Sequence, residues 1–468
     1  MSFIKLFVRW PTSFVFVQMT ENRSVLVDYL SSREIWRFPP FSLVVDGFRY
    51  SRDLVKELSE SSEGLALGRT VALTCVLTHF HSDHYTGLTG QWRYGHIFCT
   101  EATASLVESQ LGLEAHRVHA LCLNVSYCID LATNTAVRLP AGKLTAPSAP
   151  HLVHLVLVDA NHCPGAAMVV ARFSTGEPCL HTGDFRFDGE GGTIGRNPFV
   201  QQVRGALSRL FLDNTYCDPK YSFPTQSEVF HTSGAILKAA CATAEGVLIV
   251  CGSYFIGKER LAFHLAASLS VPLVVSEEKR LVLRQIGQSD VDIITPSDDS
   301  LPFAVREVGG RQVKVCVALA SMSVFNYSEV ASWAESDEIL LWKRFKLGSA
   351  VDIVGFEPTG WAHSRPQSRK VKHLPPRTTI YSVPYSEHSS FLELLSFVQY
   401  MSPLKVIPTV SLRAWTYQEH RFVEKCPRLR SRFSNVQPIT KFLRKRPRSS
   451  SPHSAIAVSS SSDSVVAL

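Results

Sequence analysis

The sequence predicts an α/β sandwich, and three observations support this fold class. Apolar runs of strand length recur along the chain, for example residues 71–77 and 151–160, and from about residue 216 they alternate with helical patterns. Several of these runs end in histidine or aspartate, as expected where parallel strands bring polar residues to one edge of a sheet. A chain of 468 residues with 45% hydrophobic content can bury one large core or two moderate ones.

The first half of the chain contains the strands of the sandwich. Between them, Leu139 to Pro150 is rich in proline and alanine and is interpreted as a surface excursion. The pattern predicts strands at 41–46, 71–78, 96–100, 151–159, 166–173 and 205–213, and a helix over Glu101 to Leu111.

The second half alternates helix and strand signals before the chain returns to the first domain. Predicted elements are Gln226 to Thr243, Val247 to Cys251, Glu259 to Ser268, Leu273 to Ser276 and Val313 to Ala318. The return is predicted to use strands near 378–383 and 404–410, with a helix over Phe391 to Met401.

Three imidazoles and a carboxylate stand within six residues directly after the apolar run 71–77. They are His79, His81, Asp83 and His84. Nitrogen and oxygen ligands of this kind bind first-row metal ions. Without a metal ion, packing these polar side chains together would cost desolvation free energy and gain few compensating interactions. The spacing therefore predicts that they bind one or two metal ions.

Further candidate residues follow later strands. His162 comes after the run 151–160, and Asp184 comes after residues 179–183. Asp213 ends the run 210–213, and His388 follows the run 378–382. We expect these four side chains to meet the first cluster at one sheet edge.

Seven motifs, in order, are similar to those of the DNA cross-link repair nucleases, the Artemis and Apollo group of the metallo-β-lactamase superfamily. They are LTHFHSDHYTGL at 77–88, DANHCPGA at 159–166, HTGDFR at 181–186, LDNTYC at 212–217, GSYFIGKE at 252–259, PTGW at 358–361 and VPYSEHSS at 383–390. The resemblance covers residues 38 to 412.

The resemblance implies a metallo-β-lactamase αββα sandwich with an inserted α/β β-CASP cap domain. The expected organisation is an N-terminal extension (1–37), a first lactamase part (38–215), the β-CASP domain (216–377), a lactamase return segment (378–430) and a basic, Ser-rich disordered tail (431–468).

The resemblance also implies a ligand set. A first zinc would be held by His79, His81, His162 and Asp184, and a second, weaker one by Asp83, His84 and the shared Asp184. Asp46 would be a carboxylate that orients the metal loop. Val410 matches the position where RNA-processing members place an additional histidine ligand, which favours DNA as substrate.

The residues indicate the same chemistry independently. Two metal ions that share a carboxylate can clamp the attacking and leaving oxygens of a phosphoryl transfer. Asp83 is then a ligand that also orients the nucleophile. Asp213 and His388 are the expected outer pair, a carboxylate that fixes an imidazole able to bind the phosphate or protonate the leaving oxygen.

A phosphate pocket is predicted at two places. The glycine-rich segment 252–259 resembles a P-loop, but Glu259 stands where that motif needs Ser or Thr, so nucleotide hydrolysis is disfavoured. Lys258 at the following helix start could still hold a nucleic-acid phosphate. The hydroxyls of Ser386, Ser389 and Ser390, which flank His388, are expected to contribute.

The carboxyl end has a different composition from the enzyme. Residues 421–448 carry ten Lys or Arg against one Glu, and nine serines follow in the last twenty residues, too polar to pack. The basic run from Lys441 to Arg448 resembles a nuclear localisation signal. It predicts that the nuclear import machinery recognises the chain and that the protein is nuclear. Val436 to Leu443 is similar to a sliding-clamp-binding peptide.

Eleven scattered cysteines without a Cys-x-x-Cys pair indicate a reducing compartment, and Lys5, Arg9 and Pro11 interrupt the apolar amino terminus, so no membrane anchor is expected. The predicted function is a zinc-dependent 5′-exonuclease acting on DNA in interstrand cross-link or double-strand break repair. Alternatives are a structure-specific DNA endonuclease, an RNA-processing β-CASP enzyme, an inactive scaffold and a small-molecule hydrolase.

Overall fold

A computed structural model describes the chain at residues 35–38, 41–60, 72–140, 142–288, 293–295, 301–325, 351–364, 371–374 and 377–430. These residues lie within one compact unit, residues 1–430. Most of the predicted N-terminal extension, the basic run and the clamp-like segment Val436 to Leu443 fall outside the described residues. None of the described helices is both long enough and apolar enough to cross a lipid bilayer.

The first sheet has five strands in the order β1-β2-β3-β4-β5, and all neighbours are parallel except β1 and β2. The strands are β1 (Ile35–Phe38), β2 (Phe41–Val45), β3 (Leu73–Val76), β4 (Gly95–Thr100) and β5 (Val118–Leu121). Since Ile35 pairs with Val44, the sheet begins within the range predicted to be an extension.

The second sheet has seven strands in the order β20-β11-β10-β9-β8-β6-β7. They are β6 (Ser126–Asp130), β7 (Thr135–Arg138), β8 (Leu152–Asp159), β9 (Ala167–Phe173), β10 (Pro178–His181), β11 (Arg209–Leu212) and β20 (Val406–Pro408). Side chains alternate along β8 with period 2: Leu155 and Leu157 share a buried cluster with Leu43 and Val45 of β2, whereas Val156 and Val158 join a different cluster. The two sheets therefore pack face to face.

Helices cover the outer faces of this sandwich. They are α1 (Ser51–Glu60), α2 (Glu101–Leu111), α3 (Pro198–Val203), α7 (Phe391–Met401) and α8 (Leu412–Lys425). Helix α7 starts with a capping box, in which Ser390 and Glu393 satisfy each other's backbone amides. Its Phe397 and Met401 share a buried cluster with Val170 and Leu210 of the second sheet. The predicted αββα layering is confirmed.

A third sheet of eight strands forms the cap, in the order β14-β13-β16-β12-β17-β19-β18 with β15 on β16. Its strands are β12 (Gly246–Ser253), β13 (Leu273–Val274), β14 (Ile293–Ile294), β15 (Ala304–Val308), β16 (Arg311–Ser321), β17 (Val351–Pro358), β18 (Val371–Leu374) and β19 (Thr378–Val383), and its helices are α4 (Gln226–Thr243), α5 (Glu259–Ser268) and α6 (Glu277–Gln285).

One predicted boundary is wrong. Strand β19 was expected to return the chain to the first domain, but it pairs with β17 and β18 in the cap sheet. Its apolar pattern is that of any buried strand, and the pattern cannot say which sheet the strand joins. The return therefore begins after Val383.

Gly95, the first residue of β4, should be one of the positions least tolerant of a side chain. A Cβ there would lie 2.0 Å from the carbonyl oxygen of Leu73. We expect Gly95→Ala to lower the free energy of unfolding by about 3 kcal/mol, because backbone must move to relieve the overlap. Gly234→Ala is the matched control: nothing lies within 4 Å of its Cβ position in α4, so denaturant unfolding should show a gain of about 0.5–1 kcal/mol. Equal stability of the two variants would contradict this packing.

Candidate metal centre

The metal loop begins where β3 ends, and Asp46 fixes its start. The two carboxylate oxygens of Asp46 accept hydrogen bonds from the Thr78 backbone N–H (2.8 Å) and from the Thr78 hydroxyl (2.7 Å). Asp46 follows the neighbouring strand β2 and has a left-handed backbone, φ +53°. That conformation turns the chain sharply at the sheet edge, and Asp and Asn tolerate it better than most residues.

The imidazoles of His79, His81 and His162 converge next to this loop. His79 Nε2 lies 2.9 Å from His81 Nδ1, and His162 Nε2 lies 3.3 Å from the same nitrogen. Asp184 completes the group, with Oδ2 3.7 Å from His79 Nε2 and 3.8 Å from His162 Nε2. The predicted first ligand set is thus brought together from the ends of β3, β8 and β10.

The other nitrogen of each imidazole already has a partner. The hydroxyl of Thr78 lies 3.0 Å from His79 Nδ1, and because that hydroxyl donates to Asp46 it must accept the histidine N–H. His81 Nε2 donates to the Ile256 carbonyl at 3.0 Å. These contacts fix ring orientation and tautomer and leave the inward nitrogens as acceptors.

His162 is oriented in the same way, because its Nδ1 donates to the Glu387 carbonyl at 2.9 Å. Burial lowers the pKa of His79 and of His162 well below the ordinary histidine value, so both rings are neutral at physiological pH. Neutral imidazole is the form that binds metal.

A second group lies on the other side of Asp184. His84 Nε2 is 3.2 Å from Asp184 Oδ2 and 3.8 Å from Asp83 Oδ2, while its Nδ1 donates to Asp46 Oδ2 at 2.7 Å. Burial opposes protonation of His84, but the charges of Asp184 and Asp46 outweigh it and raise the pKa of His84 well above its usual value. A metal ion can take the place of the proton between His84 Nε2 and the Asp184 carboxylate.

Asp213 and His388 form the predicted outer pair. His388 Nδ1 donates to Asp213 Oδ2 at 2.9 Å, and its Nε2 lies 3.9 Å from Asp184 Oδ2. The other oxygen of Asp213 accepts the Thr215 backbone N–H and hydroxyl. Burial would lower the pKa of His388, but Asp213 and Asp184 raise it to about 9. His388 therefore presents a proton toward the centre.

The donor set fits a divalent metal ion. Among the described residues, candidate ligand atoms lie within 4.8 Å of one another in three groups: His79, His81 and His162; His79, His84 and Asp184; and His162, Asp184 and His388. Cys163, which the sequence did not single out, places its sulfur in the first group as well. Burial raises the pKa of this thiol well above its ordinary value. The His/Asp cluster is the candidate metal-binding group.

The residues predicted to bind phosphate have internal partners instead. Lys258 is buried, and its ammonium donates to the Pro358 carbonyl at 2.7 Å. The Ser389 hydroxyl bridges the Phe185 carbonyl and the Phe187 N–H. Ser386 and Ser390 are likewise occupied, by the His388 backbone and by the cap of α7. This geometry supports a structural role, holding the loop that carries His388.

Arg186, the last residue of the HTGDFR motif, is also buried. It donates to the carbonyls of Ser386 and Pro224 and pairs with Glu393 at 3.1 Å. Arg186 therefore joins the loop that carries Asp184 to the loop that carries His388.

Val410 matches the position where RNA-processing members place an additional histidine ligand. Its side chain is partly exposed, and its backbone N–H donates to the Asn214 side chain at 3.1 Å.

Replacing Asp46 should weaken metal binding by the second group, which consists of His84, Asp83 and Asp184. Asp46→Asn keeps the size and tolerates the left-handed backbone, but it leaves one acceptor too few for Thr78 and His84. We expect metal affinity at the His84 group to fall about 10- to 100-fold, as for other partners that orient ligands. Calorimetric metal titration of Asp46→Asn beside Asp53→Asn, a control on helix α1, measures the difference. Identical isotherms would remove Asp46 from the site.

The chain is similar to known DNA cross-link repair proteins. The family model for "DNA repair metallo-beta-lactamase" matches residues 314–414. The chain is 34% identical over 339 residues to DNA cross-link repair protein SNM1 of Arabidopsis thaliana, covering 72% of this chain and 60% of the relative. It is 31% identical to the human DNA cross-link repair 1A protein (81% and 30% covered) and 28% identical to the 5′ exonuclease Apollo of Danio rerio (71% and 48%). The chain thus spans between about a third and three fifths of the length of these relatives.

Proposed function

Because the chain is a relative of the DNA cross-link repair proteins and has the metallo-β-lactamase fold, we propose that it is a metal-dependent nuclease that hydrolyses phosphodiester bonds of DNA, acting as a 5′-exonuclease in repair. One observation carries the proposal: a single carboxylate oxygen, Asp184 Oδ2, faces two imidazole groups, with His79 and His162 on one side and His84 on the other. This is the arrangement expected of two metal ions that share a ligand.

The chemistry of the donors supports zinc, with unequal sites. The first group offers three neutral imidazoles and a carboxylate, a complete tetrahedral set. The second offers only His84, Asp83 and the shared Asp184, and the Asp83 side chain is 63% exposed. We therefore propose one tightly held zinc and a second that is held more weakly. When bound, the ions would supply an activated water and neutralise phosphate charge.

The remaining residues would position the substrate and move a proton. Asp83 reaches solvent beside His84 and can orient an incoming water. His388, held by Asp213, presents Nε2–H toward the centre and can donate it to a phosphate oxygen or to the leaving oxygen. Val410 supports DNA rather than RNA through the family resemblance, and the basic carboxyl end supports a nuclear location.

End-labelled DNA tests the proposal. Single strands with a 5′-phosphate, a 5′-hydroxyl or a closed circular backbone should separate the possibilities: a 5′-exonuclease shortens the first fastest and leaves the circle intact. His81→Ala should be inactive, whereas His96→Ala, at the amino end of β4, should match the wild type. Cutting of circles would favour an endonuclease, preference for RNA would favour an RNA-processing enzyme, and no cleavage of any of them would overturn the proposal.

A further inference from the structure

Lys279, the third residue of helix α6, reaches the turn that connects β12 to α5. Its ammonium donates to the carbonyl oxygens of Tyr254 (2.9 Å) and Phe255 (2.8 Å) in that turn. It also pairs with the Glu259 carboxylate at 2.8 Å. An ammonium group has three N–H donors, so these three acceptors use all of them.

The turn, residues 254–258, begins with three consecutive carbonyl oxygens that have different partners. The first two accept hydrogen bonds from the Lys279 ammonium, and the third, of Ile256, accepts the His81 Nε2–H at 3.0 Å. Peptide groups are rigid planes joined in series. The position of the Ile256 oxygen therefore depends on where the two preceding carbonyl groups are held.

The backbone of this turn adopts a conformation that needs support. Gly257 has φ +102° and Lys258 has φ +70°, a left-handed conformation that few residues other than glycine adopt. The Gly257 N–H donates to the Glu259 carboxylate, 2.9 and 2.8 Å from its two oxygens, and the Lys258 N–H donates to Glu387 at 2.9 Å. These contacts hold the second half of the turn, and Lys279 holds the first half.

The helix that carries Lys279 is anchored in both parts of the fold. Val282 shares a buried cluster with residues of the first sheet, and Leu283 shares one with residues of the cap sheet. Ser276 caps the helix by accepting the Lys279 backbone N–H at 3.2 Å. The Lys279 side chain, which is 14% exposed, therefore approaches the turn from a fixed position.

We propose that Lys279 is a positioning residue of the metal centre: its ammonium fixes the Ile256 carbonyl and, through it, the ring of His81. The inference rests on the proposed function, in which His81 binds the tightly held zinc. Groups that orient a ligand directly contribute about 10- to 100-fold to metal affinity. Because Lys279 acts one contact further from the ligand, we expect about tenfold. The weaker site at His84 has its own partner, Asp46, and should not respond.

Metal affinity of the full chain tests this role. Lys279→Met keeps the length of the side chain and removes its donors. In competition with a zinc chelator, the tight site should bind zinc about tenfold more weakly than in the wild type, while the weak site is unchanged. Cobalt(II) in the tight site should show an altered visible absorption spectrum, because His81 is displaced. Lys238→Met, which removes an exposed lysine from α4, is the matched control and should behave as the wild type.

Two further variants separate positioning from stability. Removing one partner of a buried ion pair leaves the other uncompensated, so Lys279→Met alone should also unfold at a lower temperature. The double variant Lys279→Met, Glu259→Gln removes both charges and keeps an oxygen for the Gly257 N–H. It should regain thermal stability without regaining the tight zinc affinity. Lys279→Arg, which keeps the charge and N–H donors, should recover part of the affinity.

Zinc binding and cleavage of DNA are measured separately, so the two proposals can fail independently. Wild-type affinity of the tight site in the double variant would overturn the positioning role, and so would equal weakening of both sites. Zinc affinity that depends on Lys279 in a protein that cuts no DNA would support the positioning role and overturn the nuclease proposal. A wild type that binds no zinc would overturn both.

Discussion

Asp184→Asn should abolish cleavage and release metal from both groups. Its Oδ2 lies 3.2 Å from His84 Nε2 and 3.7 Å from His79 Nε2, so this one oxygen links the two groups. Burial would raise the pKa of Asp184, but His84 and His388 hold it well below the usual value, so the side chain is a carboxylate. An amide of the same shape cannot offset the charge of two cations.

Metal content by mass spectrometry and cleavage of 5′-phosphorylated DNA measure the effect. Asp188→Asn is the control: it lies four residues away, and its amide oxygen can still accept the Thr193 N–H. A purified Asp184→Asn protein that keeps its metal and its activity would remove the shared carboxylate from the mechanism.

His388→Ala should slow hydrolysis about 10²- to 10⁴-fold, the usual contribution of a positioned acid, while the metal content stays unchanged. The reason is geometric, since His388 lies 3.9 Å from Asp184 and presents its proton toward the centre. Asp213→Asn should give a smaller loss in the same direction, because the imidazole would keep its place but lose the charge that holds its proton.

A substrate with a bridging sulfur at the 3′ position of the scissile bond identifies the role of that proton. Thiolate leaves without protonation, so the variant should approach the wild-type rate on this substrate if His388 protonates the leaving oxygen. No recovery would instead indicate that His388 binds the phosphate. A loss of metal in His388→Ala would contradict both roles.

Sequence patterns predicted the local structure well. Helices α2, α4, α5 and α7 have the predicted bounds, because each begins at a polar cap or loop and continues as a helical apolar pattern. The convergence of the candidate ligands was also predicted, because imidazoles and carboxylates at the ends of successive strands meet at one sheet edge. Strand β19 was assigned to the wrong sheet, because pairing between distant strands has no local signal.

Apart from Asp46, the sequence could not reveal which groups orient the ligands. His81 and His162 are held by the carbonyl oxygens of Ile256 and Glu387, and every residue has such an oxygen. The sequence also could not show that the side chains assigned to a phosphate pocket have internal partners. Serine and lysine side chains suit phosphate, but those of Ser389 and Lys258 satisfy nearby backbone groups in the folded chain.

The carbonyl contacts also determine when the centre can form during synthesis. Ile256 lies 175 residues after His81, and Glu387 lies 225 residues after His162. A growing chain that already contains every imidazole and carboxylate of the first group has not yet made either carbonyl. The ligands therefore gain their final orientation only after residue 387 has been translated, and contacts across such long separations form slowly. A nascent chain that ends before these two residues therefore carries the ligands without the carbonyl groups that orient them.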